Sequence, residues 1–340
     1  MDQVQDLQTN LPSGQPGQAR PKRARPILQD IWAVLRGLAI GVNIVIAVLI
    51  ITALIVAGRS YSGFQEDLVQ SGPKTDKIVI VPLQGIIDGK QAEQVCRYIK
   101  AAGEDRAVKG LILRISSPGG TIAGSDQIYN QINRFRSEHG RPVVAFMQGL
   151  AASGGYYAAV ACQRIVAEPT AITGSIGVVL GHFVFGDLLE KKLGIQPVIL
   201  KSGQKKDWPS SFDLPTQEQL DYLQERLINP AYERFLDVVS RGRSDVLSTD
   251  QVRALADGGI YTAPQALDNG LIDQIGYLED AIDLVKSMAG LEKARVVEFR
   301  QAFSLRSLLV EAMAGMSIRF DRTSLLELTT PEALYLWRAY

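Results

Sequence analysis

Cysteine and histidine are nearly missing from this chain: 340 residues hold two of each, Cys96, Cys162, His139 and His182. Two cysteines without a CxxC spacing exclude a disulfide scaffold and argue against a metal site built from thiolates. An excess of one charge is missing too, since 36 Lys and Arg balance 36 Asp and Glu. That excludes a nucleic-acid binder working through a global basic surface. No GxGxxG follows the first strand-like run, no GxxxxGK[ST] occurs, and no segment repeats, so nucleotide folds and solenoids have no support. Apolar residues, in contrast, make up 46% of the chain. That is enough for a buried core in one large domain or two small ones.

The longest apolar run lies near the N-terminus. Residues 1–28 are rich in Gln, Pro, Gly and Asp, carry Arg20, Lys22, Arg23 and Arg25, and show no apolar period. They read as disordered, in a basic cytoplasmic segment that extends to residue 36. Residues 37–58, GLAIGVNIVIAVLIITALIVAG, contain no charge, and only Asn43 and Thr52 are polar. As a helix these 22 residues span about 33 Å, matching a hydrocarbon core of about 30 Å. A buried core helix is one alternative, but it does not need so long a charge-free run. A cleavable signal peptide is the other, though its apolar region is usually about 7–15 residues. The reading is one uncleaved transmembrane anchor. Lys22, Arg23, Arg25 and Arg36 precede the span and only Arg59 closely follows it. The N-terminus is therefore expected in the cytoplasm, with everything after residue 59 on the extracytoplasmic side.

Past a polar linker (59–76), strands alternate with helices. KIVIVPLQGII (77–87), VKGLILRIS (108–116) and RPVVAFMQ (141–148) read as buried strands, with helices over 91–103 and 123–135 between them. RIVAEP (164–169) and PVILKSG (197–203) read as further short strands. A long helix over 216–241 is interrupted or kinked at Pro230. Helices over 248–256 and 278–289 and a strand over 295–299 follow, and the tail shows helical spacing at Leu305, Leu308, Leu309 and Met313. Apolar strands separated by helical patterns predict an α/β fold with a mostly parallel sheet flanked by helices.

Two glycine-bearing segments directly follow strands: SSPGG (116–120) and GLAASGGYYAA (149–159). Ligands gather outside the carboxyl ends of parallel strands, which is where both would lie. Small residues around Ser153 let backbone approach a substrate, and N–H groups just after it can face a developing oxyanion. Gly119–Gly120 can offer a second N–H. Either segment alone reads equally as a tight turn with Ser153 as a helix cap; the two together favour a nucleophile. Its base is open at this point. His182 stands in the apolar run VVLGHFVFG, the setting of a packed histidine. Lys201, Lys205 and Lys206 in ILKSGQKKDW have the composition of solvated surface lysines. A lysine serves as a base only where burial or nearby positive charge holds it neutral.

SSPGG, AASGGYY, TGSIG (173–177) and KSGxxKD (201–207), with the later DGGIYTAPQALDNGLID, occur in this order over about residues 75–290. This pattern resembles the signal peptide peptidase A family of membrane-anchored serine–lysine peptidases. The resemblance implies a crotonase/Clp-protease-like fold over 77–300, preceded by one transmembrane helix, with residues 301–340 as a C-terminal extension. It places the nucleophile on Ser153 and the general base on Lys206, directly before Asp207. Ser175 would position the lysine ammonium, and the N–H groups of Gly120 and Gly154, with Gly119 in support, would form the oxyanion hole. It implies no cofactor, metal or nucleic acid. Membrane lipid and a homo-oligomer would be the partners, and leftover signal peptides and other unfolded apolar peptides the substrates. Leu150, Tyr156 and Tyr157 offer apolar area beside Ser153 and predict Leu, Ala or Phe near the scissile bond. Two rivals stay open: a crotonase-like acyl-CoA enzyme, which would need neither Ser153 with a lysine nor an anchor, and an inactive membrane scaffold.

Overall fold

The computed structural model describes residues 27–60, 64–301 and 332–337. Disorder over residues 1–26 and helical spacing at 305–313 concern residues outside these. The chain divides into two units, 1–60 and 61–340.

In the first unit one helix, α1 (Ile27–Ser60), contains the apolar run and begins ten residues before it. Residues 27–36, expected to be disordered, join the helix because Ile27, Leu28, Ile31, Trp32, Val34 and Leu35 continue its apolar character. The two polar side chains of the 37–58 run bond back to the preceding turn: Asn43 Nδ2 donates to Ala39 O and Thr52 Oγ1 to Val48 O, both at 2.7 Å. Neither needs water, a condition for polar groups at bilayer depth. Among the described residues Val34–Thr52 is the one stretch long and apolar enough to cross a membrane.

In chain order the second unit runs β1 (Phe64–Gln70), β2 (Lys77–Gln84), α2 (Gly89–Glu104), β3 (Val108–Ser117), β4 (Gly119–Thr121), α3 (Ile122–His139), β5 (Val143–Ala152) and α4 (Gly154–Ala159). Then come β6 (Arg164–Ala167), β7 (Ile172–Gly174), β8 (Val179–Gly181), α5 (Gln217–Leu223), α6 (Asn229–Gly242), α7 (Thr249–Leu255), β9 (Ile260–Thr262) and α8 (Ala263–Asp268). The series closes with β10 (Gln274–Ile275), α9 (Leu278–Met288), β11 (Arg295–Gln301) and β12 (Glu332–Leu336).

The main sheet runs β1-β11-β2-β3-β5-β6-β10, with β7 branching from the end of β5 and β9 beside β7, and is parallel except where β1 pairs with β11 and β9 with β7. Strand β2 shows why both faces are apolar. Val79, Val81 and Leu83 join one core with Val95 and Ile99 of α2 and Ile128 and Ile132 of α3. The alternate residues, Ile78 and Ile80, join a second core with Ile282 and Val285 of α9. The expected fold, a mostly parallel sheet between helical layers, is what the chain adopts.

Local signals set the helix ends. Thr121 caps α3 by accepting from Gly124 N–H at 3.0 Å, and Gly140, at φ 61°, ends it. Ser248 and Gln251 cap each other at the start of α7. Before Pro230 the helix widens into a π turn over Gln224–Ile228 and resumes as α6, because proline supplies no N–H to the regular ladder.

Two expectations do not hold. Residues 197–203 form no strand; among the described residues no strand pairs with them, and Val198 and Leu200 stand 81% and 94% exposed. The stretch read as a polar linker contains β1, whose Phe64 packs 4.2 Å from the ring of Phe299 on β11. Its sequence, FQEDLVQ, hides the strand because an edge strand exposed along most of its length needs no apolar alternation.

Candidate active site

The site forms where β5 stops. The last register pair between β5 and β7 is Ala152 with Gly174, and the next residue, Ser153, donates its N–H to Gly174 O at 2.8 Å. Thr173 Oγ1 donates to Ala151 O at 2.7 Å, tying the two strand ends together. Ser153 turns at φ 53°, ψ −115°. That is the geometry of the first central residue of a type II′ turn, which suits glycine. A residue with a Cβ held there costs about 1–3 kcal/mol, supplied by the surrounding packing. Its carbonyl accepts from Tyr157 N–H at 2.8 Å to start α4, and the residue is buried. Among the described residues no group hydrogen-bonds its Oγ.

The SSPGG segment folds against this turn. Ser117 Oγ donates to Gly85 O at 2.6 Å and accepts from Gly119 N–H at 3.1 Å. Gly119 takes φ 100°, open to glycine alone in practice. Ile87 N–H donates to Gly119 O at 2.9 Å and Thr121 N–H to Ile87 O at 2.8 Å, gripping Gly120 from one side. A Cβ on Gly120 would overlap the Ile87 carbonyl, and one on Gly154 would overlap Ser125 Oγ while lying 3.2 Å from Gly119 Cα. A Cβ on Gly119 would lie 2.7 Å from Gly154 N. The two glycine segments thus meet backbone to backbone beside Ser153.

Ser175 stands one position past Gly174, next to Ser153 across the ladder. It is buried, at φ 50°, and donates its N–H to Gly259 O at 2.6 Å. Ser153, Ser175, Gly119, Gly120 and Gly154 are therefore assembled in one place. Lys206 is not among them. It is exposed, on the segment between β8 and α5, and its side chain has no hydrogen-bond or ion-pair partner among the described residues. Its neighbours are engaged: Lys201 Nζ donates to both Asp207 oxygens at 2.7 and 2.9 Å, which lowers the pKa of that carboxyl. Lys205 Nζ sits 4.2 Å from the centroid of the Tyr222 ring and 5.3 Å from that of Trp208. His182 directly follows β8, and its buried Nε2 has no partner among the described residues.

An aromatic cluster of the core is built on α4, directly after Ser153. Tyr157 donates its hydroxyl to Asp126 Oδ1 at 2.6 Å, and Arg234 Nη2 donates to the same oxygen at 2.9 Å. Burial, then the bond to Asp126, pushes the Tyr157 phenol up. Phe235 stands 5.0 Å from the Tyr157 ring. Tyr156, expected beside this groove, faces the core instead, donating its hydroxyl to Leu271 O at 2.9 Å. On a helix as tight as α4, adjacent residues point about 100° apart, so only one of the two tyrosines can face the site. Strand β12 crosses the site between β4 and β8, antiparallel to both. Sequence reasoning missed it, along with Asp126, Arg234 and Phe235. Two strand-favouring aromatics, Tyr335 and Trp337, in an apolar stretch were its local signal.

Comparison with known proteins agrees with this architecture. The model of peptidase family S49 matches residues 136–292 and that of Clp protease matches residues 67–172. A protein of Enterococcus faecium named for signal peptide peptidase SppA is 37% identical over 246 residues, 69% of this chain and 70% of its own. A Synechocystis protein named as a protease is 36% identical over 220 residues, 65% of this chain and 77% of its own. The chloroplastic serine protease SPPA of Arabidopsis thaliana is 31% identical over 279 residues, 78% of this chain and 40% of its own. With more than two thirds of the length of the Enterococcus and Synechocystis proteins matched at this identity, the chain belongs to peptidase family S49.

Proposed function

We propose that this S49 peptidase is a membrane-anchored serine endopeptidase in which Ser153 is the nucleophile and Lys206 the general base. The observation that supports the reading is the turn with positive φ at Ser153, at the end of a strand where the backbones of Gly119 and Gly154 meet. Neutral Lys206 takes the Oγ proton as Ser153 attacks a peptide carbonyl, with Ser175 orienting the amine. Gly120 and Gly154 N–H hold the oxyanion; one such donor is typically worth about 10²–10³ in rate. The lysine ammonium then protonates the leaving amine, and water releases the acyl group.

Lys206 lies on a segment where Val198, Leu200 and Leu214 are 81%, 94% and 81% exposed. We read this apolar face as an interface between copies of the chain, so that a homo-oligomer brings Lys206 to Ser153 of a neighbour. Helix α1 anchors the enzyme with its N-terminus in the cytoplasm. The substrates are then leftover signal peptides and other unfolded apolar peptides at the membrane surface.

A fluorophosphonate probe on the detergent-solubilised full chain tests this, because only an activated serine reacts. Labelling that disappears in Ser153→Ala is expected. An unlabelled chain, or labelling that survives the substitution, overturns the assignment.

A further inference from the structure

We propose that Asp257 is a positioning residue for the catalytic pair: through the turn over residues 257–259 it holds the backbone of Ser175, and so aims the Ser175 hydroxyl at the amine of the base. The inference rests on the reading of Ser153, Ser175 and Lys206 as the working groups and adds a residue outside them.

Ser175 needs an outside hold. It is buried, its φ of 50° lies where residues other than glycine are uncommon, and among the described residues no group hydrogen-bonds its Oγ. The direction of its Cα–Cβ bond, and with it the reach of the hydroxyl, is therefore set by the backbone. Strand β7 ends one residue earlier, at Gly174, which pairs with Ile260 of β9. The next hydrogen bond, from Ser175 N–H to Gly259 O at 2.6 Å, goes to the turn that precedes β9. Gly177 meets the same turn, since a Cβ there would lie 3.5 Å from Gly258 Cα. The turn thus touches the chain at Ser175 and again just past it.

Asp257 fixes that turn. Its Oδ1 accepts from Gly259 N–H at 2.8 Å, the bond by which an aspartate closes a loop over the backbone two residues on. Gly258 between them takes φ 84°, a conformation that glycine adopts without steric cost. The flanks are pinned independently: Tyr232 donates its hydroxyl to Ala256 O at 2.7 Å, and Tyr261 donates its own to Leu255 O at 3.0 Å. What remains free is rotation about two residues that have no Cβ, Gly258 and Gly259, and the Asp257 carboxylate restrains it. The aim of the Gly259 carbonyl at Ser175 N–H depends on that restraint. Asp257 itself is exposed and acts only through Gly259 and Ser175.

The test is kinetic, on the full chain in detergent, with an internally quenched peptide rich in Leu and Ala as substrate and fluorophosphonate labelling as a second readout. Asp257→Ala is expected to lower kcat about 10-fold with KM changed less than about 2-fold, and to slow labelling by a similar factor, because one charge-assisted hydrogen bond is lost and no peptide contact is. Asp257→Asn keeps an acceptor oxygen and is expected to stay within about 3-fold of wild type. Asp257→Glu keeps the charge but overshoots Gly259 N–H, and is expected to fall as far as Asp257→Ala. In a Ser175→Ala background, Asp257→Ala is expected to cost less than about 2-fold, because the two residues act in series.

An equal loss in that background, a raised KM with kcat unchanged, or an active Asp257→Glu beside an inactive Asp257→Asn overturns the assignment. Should Asp257→Ala fail to fold, the contrast between Asp257→Asn and Asp257→Glu decides. If wild type labels and cuts while Asp257→Ala does both at the full rate, the positioning role is wrong and the nucleophile stands. A wild type that does neither overturns both.

Discussion

Ser153 and Ser175 leave adjacent parallel strands at the same level, each one residue past the Ala152–Gly174 pair, and each has a positive φ, 53° and 50°. Two non-glycine residues in that region of backbone space, side by side and buried, mark a place where packing enforces a conformation that the residues disfavour.

The strain at Ser153 can be read out directly. Ser153→Gly removes the Cβ that the turn disfavours, whereas Ser153→Ala keeps it. Both variants are expected to be inactive, with the glycine variant more stable by about 1 kcal/mol. Denaturant midpoints of the two inactive proteins check this; equal midpoints would show that the turn stores no strain.

The glycines divide by what an added methyl meets. At Gly154 it meets the hydroxyl of Ser125, a side chain that can turn away at the cost of its 2.9 Å bond to Thr121 O; at Gly120 it meets the Ile87 carbonyl, which is backbone held by Thr121 N–H at 2.8 Å. Gly120→Ala is therefore expected to cost about 1–3 kcal/mol, the usual penalty for overpacking, and Gly154→Ala less. Thermal unfolding of both variants tests the order, and the reverse order would contradict the backbone contact.

Neighbouring lysines separate by their contacts. Lys206→Ala is expected to abolish peptidase activity. Lys205→Ala should keep it and lose about 0.5–1 kcal/mol of stability, because its ammonium rests on the Tyr222 and Trp208 rings. The reverse pattern would move the base to Lys205. A lysine base acts only after losing its proton, so kcat/KM is expected to rise with pH and peak on the alkaline side. A profile already flat at about pH 6 would point to His182 instead.

Both cysteines are free thiols. Burial raises Cys96 to about 11 and Cys162 to about 12. Only the thiolate reacts, and at pH 8 the Cys162 thiolate is on the order of one part in ten thousand. A thiol reagent is thus expected to find two groups after unfolding and to leave Cys162 almost untouched in the native protein. Rapid native labelling of Cys162, or one intramolecular disulfide by mass, would contradict this.

For topology, protease added to right-side-out vesicles is expected to reach residues 61–340. Digestion only in inverted vesicles would reverse the orientation drawn from Lys22, Arg23, Arg25, Arg36 and Arg59.

What the sequence determined by itself is local or periodic. A charge-free run specifies its own helix because every backbone bond closes within the segment. Continuous apolar strands between helical patterns specify a sheet buried on both faces, which β2 shows in its alternation between two cores. Glycine positions were legible as well, since a steric demand on one residue is written at that residue: Gly119, Gly120 and Gly154 stand where a Cβ has no room. Tertiary structure alone decided pairing. FQEDLVQ is a strand only because β11 offers it an edge, and PVILKSG is none because nothing does. The same holds for Tyr335, distant in sequence from Gly120 and Tyr157 and set between them by strand register. A strand's partner, unlike a helix's hydrogen bonds, lies outside the segment that forms it.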